Sequence, residues 1–292
     1  MDTFLAQVVN GLTLGSTYAL VALGVVLIFS VLDVMSVTQG EIFIASAYIG
    51  FVWAFSYVGN VAVAIAVVIA ASLVLGVVVE RVAVRPALSG GHLGTLITTV
   101  GVGIVLTNLI IIFFGPYSQV VPNDAVTEPW HLGSVAIRPI DVLAMSVLVV
   151  GFLLLTVLIR KTRVGAAIRA TAENGDVAAT FGIKVKRMRS LTFMVGSGFA
   201  GLAAVILGLK YGSLTPSLGI DFTLKALTVA IIGGAGRLEG ALIAAFGIAM
   251  AESMTTAYVG ADFTSLVSYA LLLVFIMLFP EGIFRQTIRR AG

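Results

Sequence analysis

From Thr3 to Leu32 the chain runs thirty residues without a charged side chain. As a helix this stretch would be about 45 Å long at 1.5 Å per residue, more than the ~30 Å hydrocarbon thickness of a bilayer. A helix apolar around its whole circumference must lie in lipid or at the centre of a larger bundle. The run is longer than the apolar core of a secretory signal, and the residues MDTFLAQVV carry no positive start. It therefore reads as a retained membrane span.

The same signature recurs along the chain. Apolar segments fall at about 4–32, 41–57, 61–84, 93–114, 140–159, 190–209, 222–258 and 263–279. The expected fold class is all-α, a polytopic helical membrane protein of eight or nine transmembrane spans with broken or re-entrant helices. The 222–258 stretch reads either as one long span with a re-entrant piece or as a short crossing followed by a full one. Charged residues make up only 11% of the chain, where a soluble surface needs about 25%. A soluble enzyme and a free nucleic-acid binder are thereby excluded. The longest polar stretch, 160–189, is too short to fold by itself, so residues 1–292 read as a single transmembrane domain. Whatever powers the protein is expected on other chains. There is no cysteine, which rules out disulfides, thiolate metal sites and a cysteine nucleophile.

The placement of charge gives sidedness. Segment 160–189 holds eight of the 17 Lys and Arg residues, as cytoplasmic loops do. Counting spans outward from it puts the N-terminus outside and the C-terminus inside. On that count Arg138, Lys210 and Lys225 are the three external basic residues. Loop 115–139, with Trp130 and His131, would be the main external loop. His92 and His131 then fall on opposite sides, which excludes a histidine pair.

A weak internal repeat is visible. Gly15, Ser16, Ala19, Ala22 and Ser36 recur as Gly196, Ser197, Ala200, Ala203 and Ser217 at an offset of 181, and one residue of slip sets Glu41 opposite Asp221. So few matches among small residues also arise by chance. Yet an inverted-repeat transporter with broken helices predicts this pattern. Gly196 to Gly201 spells G-x-G-x-x-G inside a span, where small residues serve close helix packing and not dinucleotide binding. The pairs Gly11/Gly15 and Gly208/Gly212 have the same meaning. Gly233, Gly234, Gly236 and Gly240 crowd one short stretch, read either as a tight turn or as a helix break between two spans.

Four charges lie in or beside apolar segments: Glu41, Asp221, Lys225 and Glu252. Either they are hydrated at the interfaces, or Thr38, Gln39, Gly40 and Glu41 flank a pathway together with Asp221 and Lys225. Asp221 and Lys225 stand one turn apart, a spacing at which they could pair. A helix start there would favour a carboxylate and an acidic side chain an ammonium.

The segment Thr162–Ile183 suggests two short Ala-rich helices separated at Asn174-Gly175, the second capped by Asp176 and stopped at Gly182. Small side chains suit docking against another protein, and a helix lying on the lipid surface is the alternative.

These residues carry a resemblance that covers nearly the whole length. Asn10-Gly11-Leu12 with Gly15 to Leu20, Arg169 through Glu173 with Ala178-Ala179 and Gly182-Ile183, and Lys225 to Thr228 with Ile232 to Gly234 and Gly240-Ala241 together resemble the permease subunits of binding-protein-dependent ABC importers for branched-chain amino acids. The resemblance implies a bacterial or archaeal cytoplasmic membrane. It implies a second permease, usually non-identical, two cytoplasmic ATPases that carry the ATP and Mg, and an external substrate-binding protein. This chain itself would bind no cofactor. Ala172, Glu173, Asn174, Ala178, Ala179 and Gly182 match the ATPase-coupling loop. One departure stands out: Ser36-Val37-Thr38-Gln39 replaces the family's usual Asn-Phe-Ala-His type of stretch. Two alternatives follow, a urea or short-amide permease of the same family and a self-contained secondary transporter.

Overall fold

A computed structural model describes residues 2–34, 36–121, 130–132, 135–234 and 236–278. Eleven helical elements carry the described chain. They are α1 (Asp2–Leu32), α2 (Gln39–Val58), α3 (Val61–Ala87), α4 (Gly91–Phe114), α5 (Pro139–Lys161), α6 (Arg163–Glu173), α7 (Gly175–Thr180), α8 (Val185–Tyr211), α9 (Leu218–Gly233), α10 (Leu238–Tyr258) and α11 (Thr264–Leu278). Seven of them are long and apolar enough to cross a membrane. That is fewer than the eight or nine expected, because α9 and α11 are shorter, at 16 and 15 residues. The 222–258 stretch is two helices, and the first begins earlier, at Leu218. The break falls where glycine permits it. Gly234 and Gly236 take left-handed φ values of +87° and +93°, and Gly233 lies against the Gly240 backbone with no room for a side chain.

Burial sorts the spans. About four fifths of the apolar window of α1 (83%) and of α8 (78%) is inside the bundle, against 17% for α4 and α5. The central spans are also less apolar than the peripheral ones, and small residues mark where they cross. Gly24 and Gly196 meet where α1 crosses α8, and Gly198 and Gly201 seat Leu73 and Ser72 of α3. The G-x-G-x-x-G run is thus a packing surface. Gly11 and Gly15 likewise admit Met250 and Phe246 of α10, and Gly208 admits Phe51 of α2.

α1 and α8 are antiparallel. Asn10 receives a 2.9 Å hydrogen bond from Lys210 at one end, and Leu32 clusters with Phe193 near the other. Around this pair the packing is two-fold in pattern. α1 packs on α10 as α8 packs on α3, and α1 meets α9 as α8 meets α2. α2 and α9 also touch each other. This arrangement extends the weak sequence repeat to whole helices. One end of the bundle gathers the starts of α1 and α5 and the ends of α4 and α8. There strand β1 (Gln119–Val120) pairs with β4 (Ser213–Leu214), and Trp130–Leu132 (β2) pairs with Val135–Ile137 (β3). The other end carries α6 and α7. Residues 122–129 and 133–134 of the expected external loop, and the basic tail Arg285, Arg289 and Arg290, lie outside the described residues.

Candidate functional site

After α1 ends, residues 33–38 lead into α2, which starts deep in the bundle. Thr38, Gln39, Gly40 and Glu41 are all buried, with Gln39 at 0% and Glu41 at 4% exposure. Thr38 offers no side-chain cap to α2. The cap comes instead from α9: the Gly40 N–H donates to Thr223 Oγ1 at 3.0 Å, and Thr223 Oγ1 donates to Glu41 Oε2 at 3.0 Å. Gly40 stands directly against the Gly219 backbone, and Phe43 stacks on Phe222 with ring centroids 4.7 Å apart. The starts of two repeat-related helices therefore meet head to head.

The level of this junction follows from its neighbours. Glu41 faces Gly103 near the middle of α4. Gln39 Nε2 lies 3.5 Å from Ser197 Oγ near the middle of α8. A carboxylate at such a depth costs about 2.5–3.5 kcal/mol on insertion scales, and an amide left half-satisfied adds to that. Gln39 Oε1 has no hydrogen-bond partner among the described residues. The junction thus holds a helix N-terminus, a carboxylate with one hydroxyl donor and an idle amide oxygen.

Two cavities lie toward opposite ends of the bundle. One, of about 310 Å³, is lined by Tyr18, Tyr211, Ser213, Asp221, Phe222 and Lys225, among others. The other, of about 490 Å³, lies between the end of α1, helix α6 and the start of α10, and includes Asp33, Arg169, Ala172 and Glu173. The first belongs to the end with β1 and β4, the second to the end with α6 and α7.

Three expectations need correction. Lys225 does not pair with Asp221. It reaches Glu252 Oε2 at 3.0 Å and Tyr18 Oη at 2.7 Å, because α10 brings a fully buried carboxylate alongside. Glu252, 1% exposed, also accepts from Tyr18 at 2.6 Å and from Ser268. Second, the four charges are not alike: Glu41 and Glu252 are buried, Lys225 is half-buried and Asp221 is exposed to the first cavity. Third, α7 is capped by Asn174, whose Oδ1 accepts from the N–H groups of Asp176 and Val177 at 3.1 and 3.0 Å. Asp176 sits in the first turn, where its charge suits the helix dipole.

The two short helices of the basic segment form as expected, and Gly182 ends them with φ +80°. Glu173 and Ala179 are exposed, while Ala178 is buried. Phe181, 82% exposed, and Val177 project into solvent. An exposed pair Arg160–Glu239 at 2.6 Å links this end of α5 to α10. His92 lies 3.9 Å from Asp33.

Two buried networks went unread in the sequence. Glu80, 0% exposed, accepts from Arg85 and Ser190. Asp141 accepts from Thr13 at 2.7 Å and lies 3.5 Å from Lys210. Both acids stand at the edges of apolar segments, which is the signal that marked Glu41.

A family model described as Branched-chain amino acid transport system / permease component matches residues 7–276. The high-affinity branched-chain amino acid transport system permease protein LivH of Escherichia coli (strain K12) is 33% identical, covering 96% of this chain and 95% of its own. BraD of Pseudomonas aeruginosa, a permease protein of the same description, is 31% identical with the same coverage. The probable branched-chain amino acid transport permease protein LivH of Methanocaldococcus jannaschii is 30% identical over 49% of this chain and 48% of its own. No solved structure matches the chain.

Proposed function

The chain belongs to the branched-chain amino acid transport system permease family, and on that footing we propose that it forms the membrane path of an ATP-driven importer for branched-chain or closely related apolar amino acids. It is a multi-pass membrane protein and a transport subunit of an ABC system. Its partners in this reading are a second permease, two ATPases that hold ATP and Mg, and an external binding protein that delivers substrate.

The observation that carries the reading is the junction of α2 and α9. In this reading substrate crosses the bundle at this junction. A zwitterion there would find the α2 N-terminus for its carboxylate and Glu41, with Gln39 Oε1, for its ammonium. Asp221 and Lys225, in the first cavity, would meet it earlier. Passage requires α2 and α9 to separate, since Gly40 and Gly219 leave no gap.

The α6–α7 segment is the proposed ATPase contact. Exposed Val177 and Phe181 beside Glu173 offer an apolar anchor with a charged rim, which suits a protein interface. The segment is continuous with α5 and α8 and lies against the second cavity, so a push on it would reach the junction through rigid helices. In this reading the basic segment faces the cytoplasm, as loops rich in Lys and Arg do, with the N-terminus outside and the C-terminus inside.

The test is uptake of labelled leucine into proteoliposomes containing this chain, its partner permease, the ATPases and the binding protein. Accumulation is expected only with all four components present and ATP on the face that carries the ATPases. Accumulation by this chain alone under an ion gradient would overturn the proposal.

A further inference from the structure

Where α3 and α8 lie side by side at the end that carries α6 and α7, they enclose a cavity of about 420 Å³ lined by Val77, Arg81, Arg85, Lys186, Arg187 and Leu191, with Ser190 and Met194. We propose that this is a binding site for an anionic phospholipid, with the phosphate held by Arg81, Lys186 and Arg187 and an acyl chain lying along Val77, Leu191 and Met194.

The cations are available. Arg85 is occupied, since its guanidinium holds Glu80 Oε1 and Oε2 at 3.1 and 2.9 Å. Arg81, Lys186 and Arg187 are exposed, and none is in an ion pair with another described residue. Three like charges thus converge on one cavity without an internal counterion, an arrangement that favours an anionic ligand.

The vertical order of the lining residues selects a lipid over a soluble anion. Val77 stands one turn deeper than Arg81 on α3, and Leu191 and Met194 stand one and two turns deeper than Arg187 on α8. Both helices therefore present charge at the membrane edge and a half-buried apolar strip directly beneath it. A free phosphate would use only the rim. A docking protein would meet the rim but not the strip, which lies within the spans. A phospholipid has both parts in this order, and basic pockets between spans are a recognised form of head-group site.

The backbone holds the rim in place. Pro86 has no N–H and crowds the preceding turn, and the helix widens to a π-turn over Glu80–Val84. Such a turn re-aims the side chains that follow. Beneath it Ser190 Oγ donates to Glu80 Oε2 at 2.6 Å and ties the two helices together.

The test is native mass spectrometry of the full-length protein released from detergent after exposure to equal amounts of phosphatidylglycerol and phosphatidylcholine. Preferential retention of phosphatidylglycerol is expected. The triple variant Arg81→Gln/Lys186→Gln/Arg187→Gln should lose about fivefold in preference per cation, on the order of a hundredfold altogether. Arg163→Gln, outside the cavity, should leave it unchanged. Equal retention of the two lipids by the parent protein overturns the proposal without recourse to any variant. So does full competition by millimolar inorganic phosphate, which would make the site one for a free anion. A triple variant that keeps phosphatidylglycerol but no longer co-purifies with its ATPases would assign the cations to a protein partner.

Discussion

Gly40 and Gly219 meet backbone to backbone, so that a methyl group on Gly40 would overlap the Gly219 carbonyl oxygen and Thr223. Neither helix has room to accept it, because Ile44 already lies against Gly219. Overpacking of this kind costs about 1–3 kcal/mol. Gly40→Ala is expected to lower the melting temperature and to reduce leucine uptake by tenfold or more at matched expression. Gly247→Ala on α10, where nothing lies within 4 Å, should leave both unchanged.

Glu41 has one strong partner, the Thr223 hydroxyl. Glu41→Gln keeps the size and an acceptor but removes the charge. If the carboxylate meets the substrate ammonium, uptake should fall by roughly ten- to a hundredfold, the range of a charged hydrogen bond worth about 1.5–3 kcal/mol. Protein abundance and melting temperature should change little. The measurement is initial uptake rate against leucine concentration.

Lys225 is the cation beside the buried Glu252. Lys225→Met strands that carboxylate, and breaking a buried pair from one side costs about 3–5 kcal/mol. The double change Lys225→Met/Glu252→Gln should recover most of the loss, because the remaining amide can still bond Tyr18 and Ser268. Thermal unfolding of the parent and the two variants in detergent checks this. Asp221→Asn, exposed to the cavity, should stay within about 0.5 kcal/mol of the parent while altering transport.

In the α6–α7 segment, Glu173→Lys and Gly182→Val are expected to abolish uptake while the protein still inserts. Phe181→Ser should weaken capture of the ATPases without affecting the fold, since that ring is almost wholly in solvent. Asn174→Ala removes the α7 cap and should cost about 0.5–2 kcal/mol locally. Co-purification of ATPase with each variant separates a docking defect from a folding defect.

Much of this was legible in the sequence because lipid imposes simple rules. Long uncharged runs set the spans, glycine at 234 and 236 set the break before α10, and Asn174-Gly175 divided α6 from α7. The candidate site was legible in part. Glu41 stood out because a carboxylate within an apolar run is costly and needs a reason. Its true partner did not, because Thr223 is an ordinary residue of an apolar helix, brought to Glu41 only by the crossing of α2 and α9. The partner of Lys225 is hidden in the sequence for a related reason. Spacing on one helix suggested Asp221, but the choice of partner depends on which carboxylate is buried, and Glu252 lies on another helix. Glu80 and Asp141 carry the same signal as Glu41, weakened by their closeness to segment ends. The ranking of spans as central or peripheral was legible only in degree: the central α1 and α8 are less apolar than the peripheral α4 and α5, but which helices they pack against depends on the fold.

The central claim is that substrate passes the junction of α2 and α9. The chain has no cysteine, so a single Ser36→Cys, buried just ahead of α2, gives an unambiguous reporter. The direct measurement is labelling of the introduced thiol by a small water-soluble reagent in the assembled importer, at rest and during ATP-driven leucine uptake. The account predicts no labelling at rest and rapid labelling during turnover. Continued uptake with that thiol unreactive throughout would contradict it.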